Sequence, residues 1–200
     1  MQKDTGTAIE NLNRRGFKAV FFEDSGEALA YVISEAGNAD IGIGGSTTIA
    51  ELGWYDALAK RGNVHWHAKT PEDPGTIGRA GASPCYMLSA NAVSGEGDII
   101  NIDGNGNRVA AAAYGPKKVF YVCGENKIAK DAEAALWRAK NVAAPMNARR
   151  LKRKTPCAAA ADKCHNCSSP ERICRVTTIT ARPPNGMEAH VIFIGGSLGF

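Results

Sequence analysis

The sequence predicts an α/β fold built on a mainly parallel β-sheet. Helical and short strand patterns alternate through the first half of the chain, and this alternation is typical of βαβ units. A hairpin over 99–113 and a last pair of strands over 176–194 predict an added antiparallel part. The chain has 200 residues, which is enough for one domain with its own core. We therefore expect a single domain over 1–200 that includes a cysteine-rich loop at 155–175.

Apolar residues three and four positions apart predict the helices, and cap residues predict their ends. Ser25 is the expected N-cap of the second helix. Gly53 lies inside the third predicted helix, which continues through it. The predicted helices cover 4–15, 25–35, 47–60, 127–140 and 142–151.

Short apolar or alternating runs between turn residues predict the strands. The glycines and prolines of 69–84 predict a lid-like loop with at most two helical turns. Residues 183–186 connect the last two strands. The predicted strands cover 17–22, 40–43, 64–67, 85–89, 99–102, 108–113, 119–123, 176–180 and 190–194.

Composition places the chain among ordinary globular proteins, with 44% hydrophobic and 22% charged residues. The first 16 residues lack the apolar segment of a secretory signal. No apolar run is long enough for a membrane span. These observations predict a cytoplasmic protein, in which thiols stay reduced and free to bind metal.

Charge is distributed unevenly along the chain. Residues 138–175 hold ten Lys/Arg and two Asp/Glu, a net charge of +8, so that the remainder carries −4 of the overall +4. Such a segment can meet nucleic acid, an anionic substrate or an acidic redox partner. A simpler interpretation is that these cations balance nearby thiolates. The segment has no Phe, Tyr or Trp, which argues against stacking on single-stranded nucleic acid.

Four cysteines form the densest chemical signal in the sequence, with the spacing C-x6-C-x2-C-x6-C. Four thiolates can bind one 4Fe–4S cluster or one structural zinc ion. The spacing is one residue from the C-x6-C-x2-C-x5-C loop of certain DNA-repair glycosylases, which is a 4Fe–4S site, and it differs from the paired C-x2-C knuckles usual for zinc. A 4Fe–4S cluster is therefore the first hypothesis, zinc is the alternative, and disulfides or free thiols remain open. The candidate ligands are Cys157, Cys164, Cys167 and Cys174.

A glycine-rich turn follows the second predicted strand and precedes a helix. Its backbone N–H groups and hydroxyls can bind an anion, whereas an ordinary capped turn would explain the same residues. It lacks the spacing of a dinucleotide fingerprint and the lysine of a P-loop. The candidate substrate-binding residues here are Gly44, Gly45, Ser46 and Thr47.

The segment 103–108 is a second polar turn, and a hairpin turn is its alternative interpretation. Asn105, Asn107 and Arg108 are candidate substrate-binding residues, because a guanidinium can hold a carboxylate or phosphate through two hydrogen bonds. Lys117 is a further candidate for substrate binding. The candidate catalytic residues are Glu51, Asp103 and Lys127, although each could also be a solvated or structural charge.

Several segments together resemble the lactate-utilisation (LUD) domain family, in the group of lactate-utilisation protein C. The resemblance covers nearly the whole chain. It implies a Rossmann-like three-layer α/β/α fold, similar to ribose-5-phosphate isomerase, CoA transferase and 5-formyltetrahydrofolate cyclo-ligase. It implies a role beside an iron–sulfur protein in the oxidation of L-lactate to pyruvate. The segments are GIGGSTTIAELG (42–53), SANAVSGEGDIINIDGNGNRVAA (89–111), GPKKV (115–119), NKI (126–128), APMNARRL (144–151) and the cysteine loop.

Three functional hypotheses follow. The first is support for the oxidation of lactate or a similar 2-hydroxy acid, with a small anionic substrate, a 4Fe–4S cluster and iron–sulfur or flavin redox partner proteins. The second is a non-redox enzyme for a sugar phosphate or an acyl-CoA-type substrate, with a structural metal. The third is a basic nucleic-acid-binding module. Whether the protein is an enzyme or an accessory subunit stays open, and a homodimer is a further expectation.

Overall fold

The computed structural model describes residues 3–200, and ten strands form its framework within that range. Eight of them are two to five residues long and the other two have seven residues each, which is the usual range of strand lengths. The strands are β1 (Lys18–Phe22), β2 (Ile41–Ile43), β3 (Val64–His65), β4 (Cys85–Leu88), β5 (Ala92–Ser94), β6 (Ile99–Asp103), β7 (Lys118–Gly124), β8 (Ile128–Ala129), β9 (Val176–Thr180) and β10 (Glu188–Ile194).

These strands form two sheets. The larger sheet has the order β1-β10-β7-β4-β2-β3, and every neighbouring pair in it is parallel. The smaller sheet has the order β8-β5-β6-β9, in which β5 is parallel to β8, and β6 is antiparallel to both β5 and β9. The predicted α/β fold with a mainly parallel central sheet is confirmed.

Helices cover the sheets, and a 3-10 turn (Glu125–Lys127) and a π-helical turn (Ala139–Ala143) complete the regular structure of the described residues. The π-helical turn joins two α-helices without a break in the helical segment 132–150. The helices are α1 (Lys3–Arg14), α2 (Ser25–Ala36), α3 (Thr47–Leu52), α4 (Tyr55–Ala59), α5 (Thr76–Ala82), α6 (Asn107–Ala113), α7 (Ala132–Arg138), α8 (Ala144–Arg150) and α9 (Pro156–Ala160). None of them is long and apolar enough to cross a membrane.

The core lies on both faces of the large sheet, because successive side chains of a strand point to opposite faces. In β7, Val119 and Tyr121 pack into the cluster on the side of α1, α5 and α6. Phe120 and Val122 pack into the cluster on the side of α2, α3 and α4. A third cluster joins the small sheet to α7 and α8. The large sheet is thus flanked by helices on both faces, with the small sheet added on one side.

Two sequence predictions about β structure were wrong. The strand expected over 108–113 is the helix α6, because the Asp103 carboxylate accepts hydrogen bonds from the backbone N–H groups of Arg108 (2.9 Å) and Val109 (3.4 Å) at its first turn. The last two strands do not pair with each other. β10 enters the large sheet between β1 and β7, and β9 pairs with β6.

Other differences concern helix ends. Asp24, rather than Ser25, caps α2, because its side chain accepts hydrogen bonds from two backbone N–H groups. The helix predicted over 47–60 is divided into α3 and α4 at Gly53, whose φ of 66° ends a helix readily. The helix predicted from Lys127 begins at residue 132, after the Asp131 cap. The lid-like segment contains α5, whose Ala80 is buried in the core.

Candidate functional site

The candidate site lies at the edge of the large sheet where the parallel strands end. In α/β folds, ligands bind outside the carboxyl ends of such strands. β2 leads into Gly44 and Gly45, β4 leads into Ser89, and β7 leads into the 3-10 turn that ends at Lys127. The fold therefore brings residues from three separate strands to one place.

Gly45 forms the first wall, together with Ser46 and Thr47 at the start of α3, and Gly44 directly precedes this wall. The Gly44 backbone N–H donates to the carbonyl of Met87 on β4 at 2.9 Å. The Ser46 hydroxyl caps α3 by accepting the backbone N–H of Ile49 at 3.2 Å. This cap is the ordinary structural role that the sequence also allowed, and it leaves the Thr47 hydroxyl for the cleft.

Arg108 forms the centre of the second wall. Its Nη2 donates to the Asn101 side-chain carbonyl at 2.9 Å and to the backbone carbonyl of Ser89 at 3.4 Å. Its Nη1 donates to the backbone carbonyl of Ile102 at 3.5 Å. Its buried Nε has no hydrogen-bond partner within residues 3–200. The guanidinium therefore has no carboxylate partner among these contacts, and its charge is available to an anion in the cleft.

Asp103 supports this wall rather than facing the cleft with a free carboxylate. Both of its oxygens accept backbone N–H groups, including that of Asn105 at 3.2 Å. Asn107 contacts the hydroxyl of the buried Tyr86, and burial raises the pKa of that tyrosine to about 12 despite the nearby Arg108. Asn105 and Asn107 both line the cleft.

Lys127 is only 3% exposed, yet it lines the cleft. Its Nζ donates to the hydroxyls of Ser89 (2.8 Å) and Thr48 (2.9 Å). Burial, aided by the cations Arg138 and Arg108 and opposed by Cys123 and Glu51, lowers the pKa of Lys127 to about 8. Burial disfavours the charged form of a lysine, so a neutral amine is accessible near neutral pH.

The cleft has two connected lobes that share four lining residues: Gly45, Arg108, Asn147 and Arg150. The smaller lobe, of about 40 Å³, contains Lys127, Thr47 and the Phe200 side chain. The larger lobe, of about 240 Å³, is lined by the 103–107 turn. These volumes are below those of pockets for drug-sized ligands, and they suit a small molecule.

Glu51 and Lys117 do not line this cleft. The Glu51 carboxylate accepts the backbone N–H of Gly199 at 2.7 Å and so fixes the C-terminal segment 195–200 beside α3. Lys117 is exposed and precedes β7, at the opposite edge of the sheet, where its backbone N–H bonds to Pro84. Their predicted catalytic and binding roles have no support from their positions.

Ser89, Asn147 and Arg150 are among the cleft residues that sequence reasoning missed. Ser89 ends a buried strand, and a hydroxyl at a strand end is a weak signal. Asn147 and Arg150 lie three residues apart on α8 and share one face of that helix, where Asn147 also accepts hydrogen bonds from Arg150. That helical spacing within a basic run was the available signal.

All four cysteines of the 155–175 loop line one small pocket beside α8. Arg172 lies among them: its Nε donates to Cys174 Sγ at 3.3 Å and its Nη1 donates to the Cys167 carbonyl at 2.7 Å. The Asn166 backbone N–H donates to Cys164 Sγ at 3.4 Å. The contact with the Cys174 thiol raises the pKa of Arg172. By contrast, Cys85 and Cys123 are buried in the large sheet, and burial raises the pKa of both thiols.

The donor set of this pocket fits a cysteine-ligated group. N–H donors to sulfur are among the contacts that tune iron–sulfur clusters. A zinc ion with four thiolates brings its sulfurs to about 3.8 Å from one another, given Zn–S distances of ~2.3 Å. Within residues 3–200, one group of three side chains has its potential metal-ligand atoms all within 4.8 Å of one another. These side chains are Glu35, Glu188 and His190, and not the cysteines. In the described part of the chain, no three of these sulfurs therefore lie within 4.8 Å of one another.

The Glu35–Glu188–His190 group lies at the amino ends of β7 and β10 and is already neutralised by lysines. Lys118 Nζ contacts Glu35 (3.2 Å) and Glu188 (3.1 Å), and Lys18 Nζ contacts Glu188 at 2.9 Å. These ammonium groups would compete with a cation for the same carboxylates. We interpret the group as a structural charge network.

Fold and site together define a mixed α/β protein with a polar cleft at the carboxyl ends of its parallel strands. The family model of the LUD domain matches residues 6–194, and the chain therefore belongs to the LUD domain family. No curated protein matches it. A crystal structure of a DUF162 family protein from Deinococcus radiodurans is similar, with a TM-score of 0.54, 11% identity and 97% of each chain covered. At that identity the likeness supports the fold alone.

Proposed function

We propose that the protein supports the oxidation of lactate or a similar small 2-hydroxy acid, bound in the cleft beside a 4Fe–4S site in the cysteine loop. The observation that carries this proposal is the shared wall between the two pockets. Ile173 lines both of them. On α8, Asn147 and Arg150 line the cleft, whereas Ala144 and Ala148 line the cysteine pocket.

The charges of the cleft favour a carboxylate ligand. Arg108, Arg150 and Lys127 line it, and Asp103, an acid that lines the larger lobe, is occupied by backbone N–H groups. Arg108 and Arg150 would hold the carboxylate of the acid through charge-assisted hydrogen bonds. The neutral form of Lys127 can accept the proton of the substrate hydroxyl at Nζ.

The cysteine loop would hold the cluster through Cys157, Cys164, Cys167 and Cys174. When bound, such a cluster supplies a one-electron carrier. The basic residues around it, such as Arg149, Arg153 and Arg172, would attract an acidic iron–sulfur or flavin partner protein. A cytoplasmic location would keep the thiols reduced.

The test compares substitution of an arginine that lines the cleft with substitution of an arginine outside it. Lactate binding is measured by calorimetry under anaerobic conditions, and lactate-dependent reduction of an artificial electron acceptor is measured beside it. Arg108→Ala should weaken binding by about 10- to 100-fold, because a charge-assisted hydrogen bond contributes ~1.5–3 kcal/mol. Arg149→Ala, which alters an exposed arginine outside the cleft, is the matched control and should bind normally. Equal binding by both variants would reject the assigned cleft.

A non-redox enzyme for a sugar phosphate or an acyl-CoA-type substrate is the second candidate. The same three cations and the hydroxyls of Thr47 and Thr48 would accept a phosphate as readily as a carboxylate. This alternative assigns the cysteine loop a structural metal. It predicts turnover of such a substrate that persists when the metal content of the folded protein is low.

A further inference from the structure

Lys127 combines burial, access to the cleft and uncharged partners. Its Nζ is bonded to the hydroxyls of Thr48 and Ser89, and both hydroxyls line the smaller lobe with it. A hydroxyl can either accept a hydrogen bond or donate one, so this pair can solvate a neutral amine as well as an ammonium group. A lysine that served only as a structural cation would more commonly be paired with a carboxylate.

The charged and titratable groups around Lys127 come from four elements. Arg108 on α6 and Arg138 on α7 disfavour the ammonium form, whereas Cys123 on β7 and Glu51 on α3 favour it. Glu51 is occupied by the Gly199 N–H. Burial is the largest effect, and it lowers the pKa of Lys127 to about 8. Desolvation and a neighbouring cation are the two conditions that make a lysine amine nucleophilic at neutral pH.

We propose that Lys127 forms a Schiff base with a small 2-oxo acid whose carboxylate is held by Arg108. The proposal deepens the proposed function and rests on it for the choice of ligand, because a 2-oxo acid is the oxidation product of a 2-hydroxy acid. The two side chains line the same lobe of about 40 Å³. It is connected to the larger lobe of about 240 Å³, and together the two lobes suit a short acid.

The chemical step is a condensation without any change in oxidation state. The Nζ lone pair adds to carbon 2 of the acid, and the carbon–oxygen bond of the carbonyl then breaks. The oxygen leaves as water with the two hydrogens of the amine, and a C=N bond forms. The hydroxyls of Ser89 and Thr48, at 2.8 and 2.9 Å from Nζ, are placed to pass these protons.

Reductive trapping tests the proposal. The full chain is incubated with pyruvate and sodium borohydride, whose hydride adds to carbon 2 and leaves a stable secondary amine. Intact mass and peptide mapping then identify the modified lysine. One adduct per chain at Lys127 is expected, and its rate of formation should fall as the pH decreases below about 8. Scattered labelling of exposed lysines without Lys127, or no labelling at pH 8, would overturn the proposal.

Two variants sharpen the test. Lys127→Arg keeps a cation but removes the nucleophile, and it should abolish the specific adduct. Lys130→Arg alters a lysine whose side chain is 84% exposed, and it should label as the parent protein does. The peptide map is read on the parent protein as well, so that the result does not depend on the folding of either variant.

The trapping reaction needs neither a metal nor an electron acceptor. If the Lys127 adduct forms in a protein that fails to oxidise lactate, the Schiff-base proposal therefore stands and the redox function is rejected. Lactate oxidation without any Lys127 adduct would retain the function and overturn the inference.

Discussion

At the scale of single residues, Gly44 packs closely against the opposite wall of the cleft. A Cβ at residue 44 would lie 2.8 Å from Arg108 Cγ and 2.8 Å from the Tyr86 hydroxyl. Tyr86 is fully buried in the core and cannot easily move. Glycine at this position therefore allows the guanidinium of Arg108 to lie across the glycine loop.

Gly44→Ala tests this packing. The added methyl group should displace Arg108 or Tyr86 and lower the free energy of unfolding by about 1–3 kcal/mol, as overpacking does. Lactate binding should weaken with it. Urea unfolding at pH 7 measures the change. Gly78→Ala in α5 is the control: a Cβ there meets nothing within 4 Å, and the protein should become more stable by about 0.5–1 kcal/mol. Equal stability of the Gly44 variant and the parent would show that the cleft walls are not in contact.

At the residue level, the sequence gives its clearest signal where one motif carries several polar groups. The turns at 44–47 and 103–108 are each dense enough in glycine and polar residues to be recognised, and both contribute to the cleft. Arg150 and Ser89 reach it through helix packing and a strand end, which no local pattern encodes. Glu51 was chosen for its spacing from the glycine loop, but the C-terminal segment takes its carboxylate.

At the scale of elements, α6 shows how one side chain decides between helix and strand. Residues 108–113 contain Val and four Ala, so apolar content alone is compatible with either structure. Asp103 resolves the ambiguity from four residues before the helix, by accepting the first N–H groups of α6. The same residue ends β6, and its carbonyl accepts the Arg175 N–H at the end of the cysteine loop.

The cysteine loop is attached to the rest of the molecule at its far end and in its middle. Its far end passes Ile173 across Gly104, where a Cβ would come within 3.3 Å of the Ile173 backbone. Cys174 packs against the third core cluster. In the middle of the loop, the Cys164 backbone N–H donates a hydrogen bond to the side-chain carbonyl of Asn141 at 3.2 Å. A change of metal ligation in the loop should therefore alter the conformation of the 103–108 wall of the cleft.

Removal of one thiol should release the metal. Cys164→Ser is expected to lose nearly all iron after anaerobic purification, because serine is a poor substitute for a thiolate ligand. Metal analysis gives the iron, zinc and sulfide content per chain. Cys85→Ala changes a buried cysteine of β4 outside the loop, and it should keep the full content at a cost of about 1 kcal/mol in stability. Full metal content in the Cys164 variant would mean that the assigned ligand set is wrong.

At the scale of the whole molecule, the large sheet is completed by the last strand of the chain. β10 lies between β1 and β7 and pairs with both along its length. At its amino end, His190 is fully buried, accepts a hydrogen bond at Nδ1 from Tyr31 and contacts Glu188 through Nε2, both at 2.8 Å. This network joins β1, β7, β10 and α2 at the edge opposite the cleft.

The network predicts how stability depends on pH. Hydrogen bonds from Lys18 and, second in size, from His190 lower the pKa of Glu188 from the ordinary 4.5 to about 2. The unfolded chain therefore binds the proton first as the pH falls, and stability is lost between about 4.5 and 2. Burial lowers the pKa of His190 below the ordinary 6.5. The unfolded chain therefore binds this proton first, and the contribution of the neutral His190 to stability is lost as the pH falls below 6.5.

Glu188→Gln should therefore be less stable than the parent at pH 7, with a difference that narrows as the pH falls below 4.5. Urea unfolding at pH 7, 4.5 and 3 measures this. Glu72→Gln, at an exposed turn residue, is the control and should follow the parent at every pH. A Glu188 variant whose deficit stays constant with pH would show that the charge of Glu188 is not responsible.

The parallel sheet and its flanking helices could be predicted from the sequence, because hydrophobic period and turn residues encode each element locally. The order of the strands could not be predicted. The insertion of β10 depends on long-range pairing, and the apolar run of 188–194 does not by itself identify the strands with which it pairs. The convergence of the cleft and the cysteine pocket on α8 is likewise a product of tertiary packing.

Metal analysis of the anaerobically purified protein is the most direct test of the proposed small-acid cleft beside a cysteine-ligated 4Fe–4S site. About four irons and an equal amount of sulfide per chain are expected, with broad visible absorption of cysteine-ligated iron–sulfur centres. A colourless protein that contains one zinc, or no metal at all, would contradict it and would favour the non-redox alternative.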